Sequence, residues 1–595
     1  MLQLKWVWKN MEGKRLFFVI GMLLSVVTSA MTVITPKLTQ LLIDDVFRGD
    51  MNARLFVTII VTMVVIKFVR SCMRYLMVNC LEISSQKVLI TIERTMFANL
   101  VNQEPEFFDR NRTGDIISRA TGDLDYIRHV VAWISYTFVD SVVMLLSTIV
   151  MLSTMHVGLT VSMLIITPLI AIITFKYAKY IRPFYVTLRN KSAYINTVAQ
   201  ENIAGNRVVK AFAREEYEKE KFKACCEDSM DCTINIAVKH QIFAQTISFI
   251  TDLLGVILIA LGGYFVVTSG GKHGVWQLTL GELAAFSSMR NMLANPLKSI
   301  STVINDLQRF LASADKVMEV FYSRPIIHNR NDCVDTDRRL EGHIEFDHVS
   351  FSFGDKKVFN DISFDIKPNE TIAIMGPTGS GKTSLINLLC RMYEPDSGHI
   401  YIDGTDVHMW KLSKLHSSIG VAMQDVFLFS DTIKENIAYG SPDMDKKEIV
   451  GYSKVADAHE FIDGLDDKYE TVVGERGVGL SGGQRQRISL ARALAVKPPI
   501  LVLDDTTSAV DMETEKRIQD ELEALDFDCT KIIIAQRISS VRRADRIFIL
   551  NGGKIEIGTH ESLCAKPGYY REICRLQNVA DLPVIEGEKE VLRSE

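Results

Sequence analysis

Long apolar runs fill the first half of the chain, whereas charged and apolar positions alternate after about residue 340. Leu16–Pro36 is a run of 21 residues without a charge, and a helix of that length crosses a hydrocarbon core of about 30 Å. Val157–Phe175 and Leu253–Gly271 each provide 19 more uncharged residues. Three further runs are apolar but carry one or more charges, and they lie at about 55–78, 130–155 and 280–306. The pattern predicts six membrane-spanning helices within residues 1–322.

The distribution of Lys and Arg predicts which connections face the cytoplasm. Four such residues precede the first span, and the connections at about 80–128 and 176–240 are long and basic. Because basic residues favour the cytoplasmic side, we place the N-terminus, both long connections and the C-terminal half there. Charges at helical spacing in the two connections predict helices that extend the spans into the cytoplasm.

The same topology places the ten cysteines in the membrane or on its cytoplasmic side. Thiols in that compartment are expected to stay reduced. The sequence contains no CxxC pair that would suggest a zinc site.

Composition and polarity set the domain organisation. The 595 residues are 47% hydrophobic and 23% charged, with a net charge of −5, which excludes a disordered chain and gives no sign of a nucleic-acid partner. A polar stretch at 323–342 is predicted to be a linker. A soluble domain is predicted at 343–578 and an acidic tail at 579–595.

A glycine-rich segment of the soluble domain has the pattern of a phosphate-binding loop. The apolar run Thr371–Met375 is predicted to be a buried strand, and Ser384–Met392 to be a helix. Between them lies G-x-x-x-x-G-K-T, formed by Gly376, Pro377, Thr378, Gly379, Ser380, Gly381, Lys382 and Thr383. Such a loop turns its backbone N–H groups toward phosphate oxygens at a helix N-terminus. Lys382 is expected at the β and γ phosphates, and the Thr383 hydroxyl at Mg²⁺.

Two further segments carry candidate chemistry. The apolar strand Ile500–Leu503 is followed by Asp504 and Asp505. A carboxylate at a strand end beside the phosphate loop can hold Mg²⁺, so we assign that role to Asp504 and the position of a water-polarising base to Asp505. Ser481 precedes two glycines at a predicted helix start, which is another phosphate-binding pattern.

These segments together resemble the ATP-binding cassette (ABC) transporters, specifically exporter-type half-transporters, over nearly the whole chain. The phosphate loop resembles Walker A and Leu501–Asp504 Walker B. The matching signature, Q-loop and D-loop segments are Leu480–Gln484, Gln424 and Ser508–Asp511. Phe107–Asp109 resembles part of a cytoplasmic connection that carries a coupling helix in that family. The resemblance implies an α-helical membrane domain fused to an α/β P-loop nucleotide-binding domain at 343–578.

The resemblance also implies the ligands and the residues that contact them. ATP and Mg²⁺ are the expected ligands, with Thr383, Gln424 and Asp504 around the metal. The expected nucleotide contacts are Phe353, residues 376–384 including Ser384, Leu480, Gly482 and Gln484. Ser481 and Gly483 are expected to act in catalysis at the partner chain's site, since each ATP site in that family joins one chain's Walker motifs to the other chain's signature.

Three positions depart from the family pattern. Phe353 stands where the adenine-stacking residue is usually Tyr, Asp505 where the general base is usually Glu, and Gln536 where the switch residue is usually His. Asp505 and Gln536 both concern hydrolysis, whereas the ATP-holding residues keep the usual pattern. The expectation is therefore a heterodimer in which this chain's Walker side forms the slow site.

Charged residues at membrane depth are the remaining candidates, because such charges are costly and usually face a cavity or pair with one another. A Lys67–Asp140 pair is geometrically possible, and snorkelling of Lys67 to the interface is the alternative. The candidate cavity residues are Lys67, Asp140, Asp252 and Arg290.

The expected function is ATP-driven export of a small amphipathic molecule across the cytoplasmic membrane. The expected partners are a second half-transporter subunit, the lipid bilayer and that substrate. An ATP-gated channel or regulatory subunit is the alternative.

Overall fold

The structure is a computed structural model that describes residues 2–47, 53–269, 278–354, 356–474, 477, 479–506, 510–577 and 579. Contacts divide the chain into two compact units, one of Met1–Val101 with Arg112–Ser323 and one of Asn102–Asn111 with Arg324–Glu595. Some predicted features lie outside the described residues: the end of the span predicted at Leu253–Gly271, Ser508 and Ala509 of the D-loop, and residues 580–595 of the tail.

Helices make up nearly all of the described residues up to residue 321. They are α1 Leu2–Asn10, α2 Arg15–Met31, α3 Ile34–Leu41, α4 Ala53–Val101, α5 Pro105–Arg110, α6 Thr113–Ser118, α7 Leu124–His129, α8 Ser135–Met155, α9 Val157–Ala204, α10 Asn206–Ala211, α11 Glu215–Ser269 and α12 Leu280–Phe321. Short π-helical segments follow α3, α6 and α7 at Leu42–Phe47, Arg119–Asp123 and Val130–Ile134. Helix α5 belongs to the second unit and the others to the first.

The longest helices greatly exceed the thickness of a bilayer. Helices α4, α9 and α11 contain 49, 48 and 55 residues. At a rise of 1.5 Å per residue, α4 is about 74 Å long, more than twice a hydrocarbon core of about 30 Å. The long connections are therefore continuous with the spans as helices, as their charge spacing predicted.

Four stretches of the described residues are long and apolar enough to cross a membrane: Arg15–Phe47, Ala53–Val101, Thr113–Met155 and Glu215–Thr268. Helices α9 and α12 cover the other two predicted spans, and the number six stays a prediction. The first span differs in detail from the expected single helix because α2 ends at Met31 and α3 begins at Ile34. Pro36 explains the break, since proline lacks an N–H and clashes with the preceding helical turn.

The second unit contains two sheets. Its strands are β1 Ile344–Phe353, β2 Lys356–Ile366, β3 Thr371–Met375, β4 Ser397–Ile402, β5 Thr405–Asp406, β6 Ile419–Ala422, β7 Ile500–Asp504, β8 Thr530–Ile534, β9 Arg546–Asn551 and β10 Lys554–Gly558. One sheet has the order β2-β1-β4-β5 and is antiparallel, and the other has the order β10-β9-β3-β8-β7-β6. Strands β9, β3, β8, β7 and β6 run parallel, and β10 is antiparallel to β9.

The second unit contains further helices. They are α13 Lys382–Leu389, α14 Leu412–Ser417, α15 Ile433–Ile437, α16 Lys446–Val455, α17 His459–Asp463, α18 Gly482–Ala495, α19 Met512–Glu523, α20 Ile538–Val541, α21 His560–Cys564 and α22 Tyr569–Leu576. Short 3₁₀ turns lie at Ala438–Gly440 and Lys468–Glu470. The buried residues of β3, β7 and β8 alternate between clusters on the two faces of the larger sheet.

The register of the parallel strands decides which loops meet. Ile374 of β3 pairs with Ile534 of β8, which pairs in turn with Asp504 of β7. The carboxyl ends of these three strands therefore form one edge, which is where ligands bind in open α/β sheets.

Candidate functional site

The phosphate-binding pattern occupies the turn between β3 and α13, at that edge of the sheet. Helix α13 begins at Lys382, two residues before the predicted start at Ser384. It ends at Leu389, three residues before the predicted end at Met392. Gly381 has φ of 99°, a left-handed conformation that glycine tolerates best, so the helix starts immediately after it. A Cβ on Gly381 would lie 2.6 Å from Val358 Cγ1, which is a clash. Arg391 is also left-handed, with φ of 51°, and it stops the helix.

The Lys382 side chain folds back over the loop. Its Nζ donates to the carbonyl oxygens of Gly376 at 2.8 Å and Pro377 at 3.0 Å. Burial lowers the pKa of Lys382, and the carboxylates of Asp504 and Asp505 oppose that change. The ammonium is thus held inside the loop, near a hydroxyl, Ser380 Oγ, that is buried without a hydrogen-bond partner among the described residues. Both groups fit a phosphate.

Thr383 and Asp504 meet at the start of α13. The Thr383 hydroxyl donates to Asp504 Oδ2 at 3.4 Å, although 121 residues separate the two in sequence. Asp504 is buried, and burial raises its pKa while the hydrogen bond from Thr383 lowers it. A partly desolvated carboxylate beside a hydroxyl favours a cation, and the donors are all oxygen, as Mg²⁺ prefers.

Asp505 and Gln536 lie at the ends of neighbouring strands. The Asp505 N–H donates to the Ile534 carbonyl at 2.9 Å, and Gln486 donates to the Asp505 carbonyl at 3.3 Å. Asp505 has φ of 51°, an uncommon left-handed value for a residue other than glycine. The carbonyl of Gln536 accepts from Gln577 at 2.9 Å. The backbones of both residues are therefore anchored, and the Gln536 side chain is exposed.

One cavity of about 540 Å³ brings most of the predicted residues together. That volume is in the usual range for a small-molecule site. The predicted residues that line it are Phe353, Thr378, Gly379, Ser380, Gly381, Lys382, Thr383, Ser384, Gln424, Asp504, Asp505 and Gln536. Gly376 and Pro377 contact the site through Lys382, as described above.

The cavity also contains residues that the sequence did not reveal. Lys356, Lys357 and Val358 of β2, Ile534 and Ala535, and the Gly552–Gly553 turn all line it. The turn joins β9 to β10, and a Cβ on Gly553 would lie 3.3 Å from the Val358 carbonyl. The pair of lysines was the one available signal, but two adjacent basic residues are common at any surface.

The signature segment forms a helix start away from this cavity. Ser481 caps α18: its hydroxyl accepts from the Gln484 N–H at 3.3 Å, and Gln484 Oε1 accepts from the Ser481 N–H at 2.8 Å. The helix begins at Gly482, as predicted. Leu480, Ser481, Gly482, Gly483 and Gln484 are absent from the lining of the described cavity. Their expected role at a partner's site stays a prediction.

The segment expected to carry a coupling helix forms α5, within the second unit. The Tyr393 hydroxyl donates to Asp109, and the Ile326 N–H donates to Glu104 at 3.1 Å. Tyr393 also lies near Phe353, with ring centroids 5.9 Å apart. Tyr393 therefore contacts both α5 and Phe353, the residue expected to stack on adenine.

The membrane-depth charges make contacts within the first unit. Asp252 of α11 and Arg290 of α12 form an ion pair at 3.3 Å. The Ser29 hydroxyl donates to Asp140. Lys67 is exposed, and none of the ion pairs between described residues includes it, so the possible pair with Asp140 is not formed. Whether these residues line a substrate cavity stays a prediction.

Comparison with known proteins decides the family. Residues 18–297 match the family described as "ABC transporter transmembrane region". Residues 359–508 match the family described as "ABC transporter". A Bacillus subtilis protein described as the uncharacterized ABC transporter ATP-binding protein YknU is 34% identical over 572 residues, covering 95% of each chain. The chain belongs to the ABC transporter family.

Other members are similar over the same extent. The putative multidrug export ATP-binding/permease protein YgaD of Bacillus subtilis is 32% identical, over 94% of this chain and 97% of that protein. An ATP-dependent lipid A-core flippase of Syntrophus aciditrophicus is 32% identical, over 94% of this chain and 92% of that protein. The structure of a bacterial Atm1-family ABC exporter with ATP bound has a TM-score of 0.77 and 25% identity, covering 96% of this chain and 99% of that one.

Membership explains the two units. This ABC exporter is a multi-pass membrane protein that couples ATP hydrolysis in its cytoplasmic nucleotide-binding domain to transport. It binds ATP and, as an ABC exporter half-transporter, functions as a dimer in a lipid membrane.

Proposed function

We propose that this ABC exporter moves a small amphipathic molecule across the cytoplasmic membrane as one half of a heterodimer. In that heterodimer, the Walker motifs of this chain form the slow ATP site, and its signature completes the faster site of the partner. The observation that carries the proposal is that Asp505 and Gln536 line the same cavity as an intact phosphate loop. The site has the residues that hold ATP but lacks the family's usual pair for hydrolysis.

The exchange at residue 505 acts through geometry. Asp is one methylene shorter than Glu, so its carboxylate falls short of a water positioned for the longer side chain. A misplacement of about 1 Å can cost roughly 100-fold in rate. The Asp505 backbone is held by Ile534 and Gln486, and these hydrogen bonds oppose a backbone shift that would make up the difference.

The exchange at residue 536 acts through charge. The amide of Gln536 donates and accepts hydrogen bonds but does not titrate, so it cannot provide the cationic contact at the γ-phosphate that a protonated His provides. Together the two exchanges support slow hydrolysis with retained binding.

Mg²⁺ fits the oxygen donors of this site. Thr383, Gln424 and Asp504 would hold the ion, which neutralises charge on the β and γ phosphates when it is bound. The hydrogen bond between Thr383 and Asp504 supports this assignment, because it brings the two oxygens together beside the loop.

The substrate class rests on the membrane half and on the relatives. Relatives named for multidrug export and for lipid A-core flipping support an amphipathic compound, since both names describe cargo that partitions into lipid. Charged side chains at Asp140, Asp252 and Arg290 within apolar helices support a cargo with a charged group.

Transport and channel activity can be separated directly. The chain is tagged, the subunit that co-purifies is identified, and the pair is placed in inside-out vesicles. We expect a labelled cationic amphipath to accumulate in these vesicles with ATP and not with ADP. ATP-gated single-channel current without accumulation would favour the channel alternative. Full accumulation with this chain as the sole subunit would contradict the heterodimer.

Neutralising Asp252 is expected to shift substrate preference. Asp252→Asn leaves Arg290 without its partner at 3.3 Å and exposes a cationic group to the cargo. Because a charge-assisted contact is worth more than a neutral one, we expect the ratio of cationic to anionic cargo transported to fall about tenfold. Basal ATP turnover should stay near normal.

The same vesicle assay provides the control for Asp252. Asp231 is an exposed carboxylate on the same helix, and Asp231→Asn should leave the cargo ratio unchanged. Asp140→Asn tests the other candidate, since it removes the charge but keeps an acceptor for Ser29. Normal transport of every cargo by both the Asp140 and the Asp252 variants would refute the cavity role.

A further inference from the structure

Within the described part of the chain, one set of three His and Cys side chains converges at the C-terminal end of the nucleotide-binding domain. His560 and Cys564 lie one turn apart on α21, and Cys574 lies on α22. Their possible ligand atoms all lie within 4.8 Å of one another. The ATP site does not use these residues.

The two sulfurs have the separation expected around a tetrahedral thiophilic ion, and the histidine nitrogens lie a few tenths of an ångström farther from the Cys564 sulfur than such an ion requires. Zn²⁺ binds Cys sulfur at about 2.3 Å and His nitrogen at about 2.0–2.1 Å, so tetrahedral angles separate two sulfurs by about 3.8 Å and a sulfur from a nitrogen by about 3.6 Å. The two sulfurs of Cys564 and Cys574 are 3.7 Å apart. The Cys564 sulfur lies 3.9 Å from Nδ1 and 4.0 Å from Nε2 of His560.

The cluster is largely enclosed by protein. Cys564 and Cys574 are 4% and 0% exposed, so the surrounding protein shields the two sulfurs from bulk water. The Arg571 guanidinium donates to the Cys564 carbonyl, which ties α22 to the end of α21. His560 is half-buried and offers the route by which an ion would enter.

A hydrogen bond also engages the other side of the histidine. The Tyr570 hydroxyl lies 2.7 Å from Nδ1 of His560, and in the tautomer in which Nδ1–H donates to this hydroxyl, Nε2 is left for a metal. Metal-bound histidines commonly fix their other nitrogen in this way. The cytoplasmic location favours a metal over a disulfide for a Cys pair, because the cytosol keeps thiols reduced.

We propose that His560, Cys564 and Cys574 form a binding site for a soft divalent cation of the Zn²⁺ class, with water or another ligand in the fourth position. The ion joins α21 to α22. Both cysteines pack in the cluster that contains Met375 of β3 and Ala535 after β8, so the joined helices support the sheet face behind the ATP site.

Zinc titration of the full-length chain tests the site. The purified protein is stripped with a chelator, and Zn²⁺ is added in competition with a chromophoric chelator. We expect one high-affinity Zn²⁺ per wild-type chain. Cys574→Ser and His560→Ala should each weaken that binding by more than about 100-fold, beyond the 10- to 100-fold loss usual for residues outside the ligand set. Tyr570→Phe should weaken it about tenfold.

Matched controls separate this site from the other thiols and from misfolding. Cys529 is buried in the same domain, and Cys529→Ser should keep the wild-type stoichiometry. His560→Ala changes a half-buried residue, so it keeps the test valid if the cysteine variants fold poorly. Co²⁺ provides a second readout, because sulfur-to-cobalt charge-transfer absorption should appear in wild type and be reduced in Cys564→Ser.

Three results would overturn the proposal. One is a wild-type chain that binds no Zn²⁺ tightly although its thiols are free. Another is unchanged zinc stoichiometry in Cys574→Ser and His560→Ala. The third is a Cys564–Cys574 disulfide in protein purified from the cytoplasm, which would make the pair a redox element instead.

Discussion

Lys382→Ala is expected to abolish detectable ATP binding at the Walker side of this chain. The Lys382 ammonium is half-buried inside the phosphate loop and donates to two carbonyls. A bound phosphate would therefore accept hydrogen bonds from an ammonium that is already in position. Loss of such charge-assisted hydrogen bonds costs roughly 100-fold or more in affinity. Labelling of this subunit by a photoreactive ATP analogue measures the effect, with the partner's labelling as the internal reference.

The chain supplies a matched control for Lys382. Lys357 lines the same cavity but lies on β2, outside the phosphate loop. Lys357→Ala removes the same charge and is expected to keep most of the labelling. If Lys382→Ala labels as strongly as wild type, the assignment of the nucleotide site is wrong. If both variants lose labelling equally, general positive charge explains binding better than the loop does.

The two ATP sites of the proposed heterodimer are expected to respond unequally to mutation. Ser481→Arg should nearly stop ATP turnover by the purified complex, whereas Asp505→Asn should leave much of it. Ser481 caps α18. The Ser481 hydroxyl and the N–H groups at the start of α18 would stabilise negative charge at the partner's faster site. Loss of a single such donor typically costs about 100- to 1000-fold in rate. Asp505 acts at the slow site, which contributes little turnover to lose.

Three further proteins complete this comparison. Ser417→Arg introduces the same bulk at an exposed position at the end of α14 and should leave turnover unchanged. Asp505→Glu combined with Gln536→His restores the usual pair and should raise turnover. The chain purified without its partner should hydrolyse ATP slowly. Equal loss in Ser481→Arg and Asp505→Asn, or full-speed hydrolysis by this chain as a homodimer, would refute the slow-site proposal.

Sequence reasoning was most accurate where the chemistry is continuous along the chain. Thr371–Met375 was predicted as a strand and is β3 with the same bounds, because an apolar run bounded by turn residues is a local signal. The helix after it was predicted two residues late. Its start depends on the left-handed conformation of Gly381, and its end depends on that of Arg391, a residue type that gives no such signal.

Pairing between distant residues was least accessible to the sequence. Depth along two spans allowed Lys67 to meet Asp140, but Asp140 accepts from Ser29, and Asp252 pairs with Arg290. The position of a residue along a span gives its depth in the membrane. It does not give the direction in which the side chain points around the helix axis, and that direction decides which residue it pairs with. The Arg290 guanidinium packs against the bare backbone of Gly255, where a Cβ would lie 1.9 Å from its Nη1.

The sequence by itself determined the membrane and nucleotide-binding halves, the phosphate loop and the Asp504 strand, because each rests on the period or order of neighbouring residues. The resemblance to the ABC family predicted Gln536 in that site, and the tertiary structure shows how this residue reaches it. The parallel register of β3, β8 and β7 aligns three strand ends that lie far apart in the chain. Only the tertiary structure decided that Lys356, Lys357 and the Gly552–Gly553 turn line the cavity and that Cys574 lies beside Cys564. Local periodicity carries no information about which distant segments pack together, since that choice depends on the burial and hydrogen bonding of the whole domain.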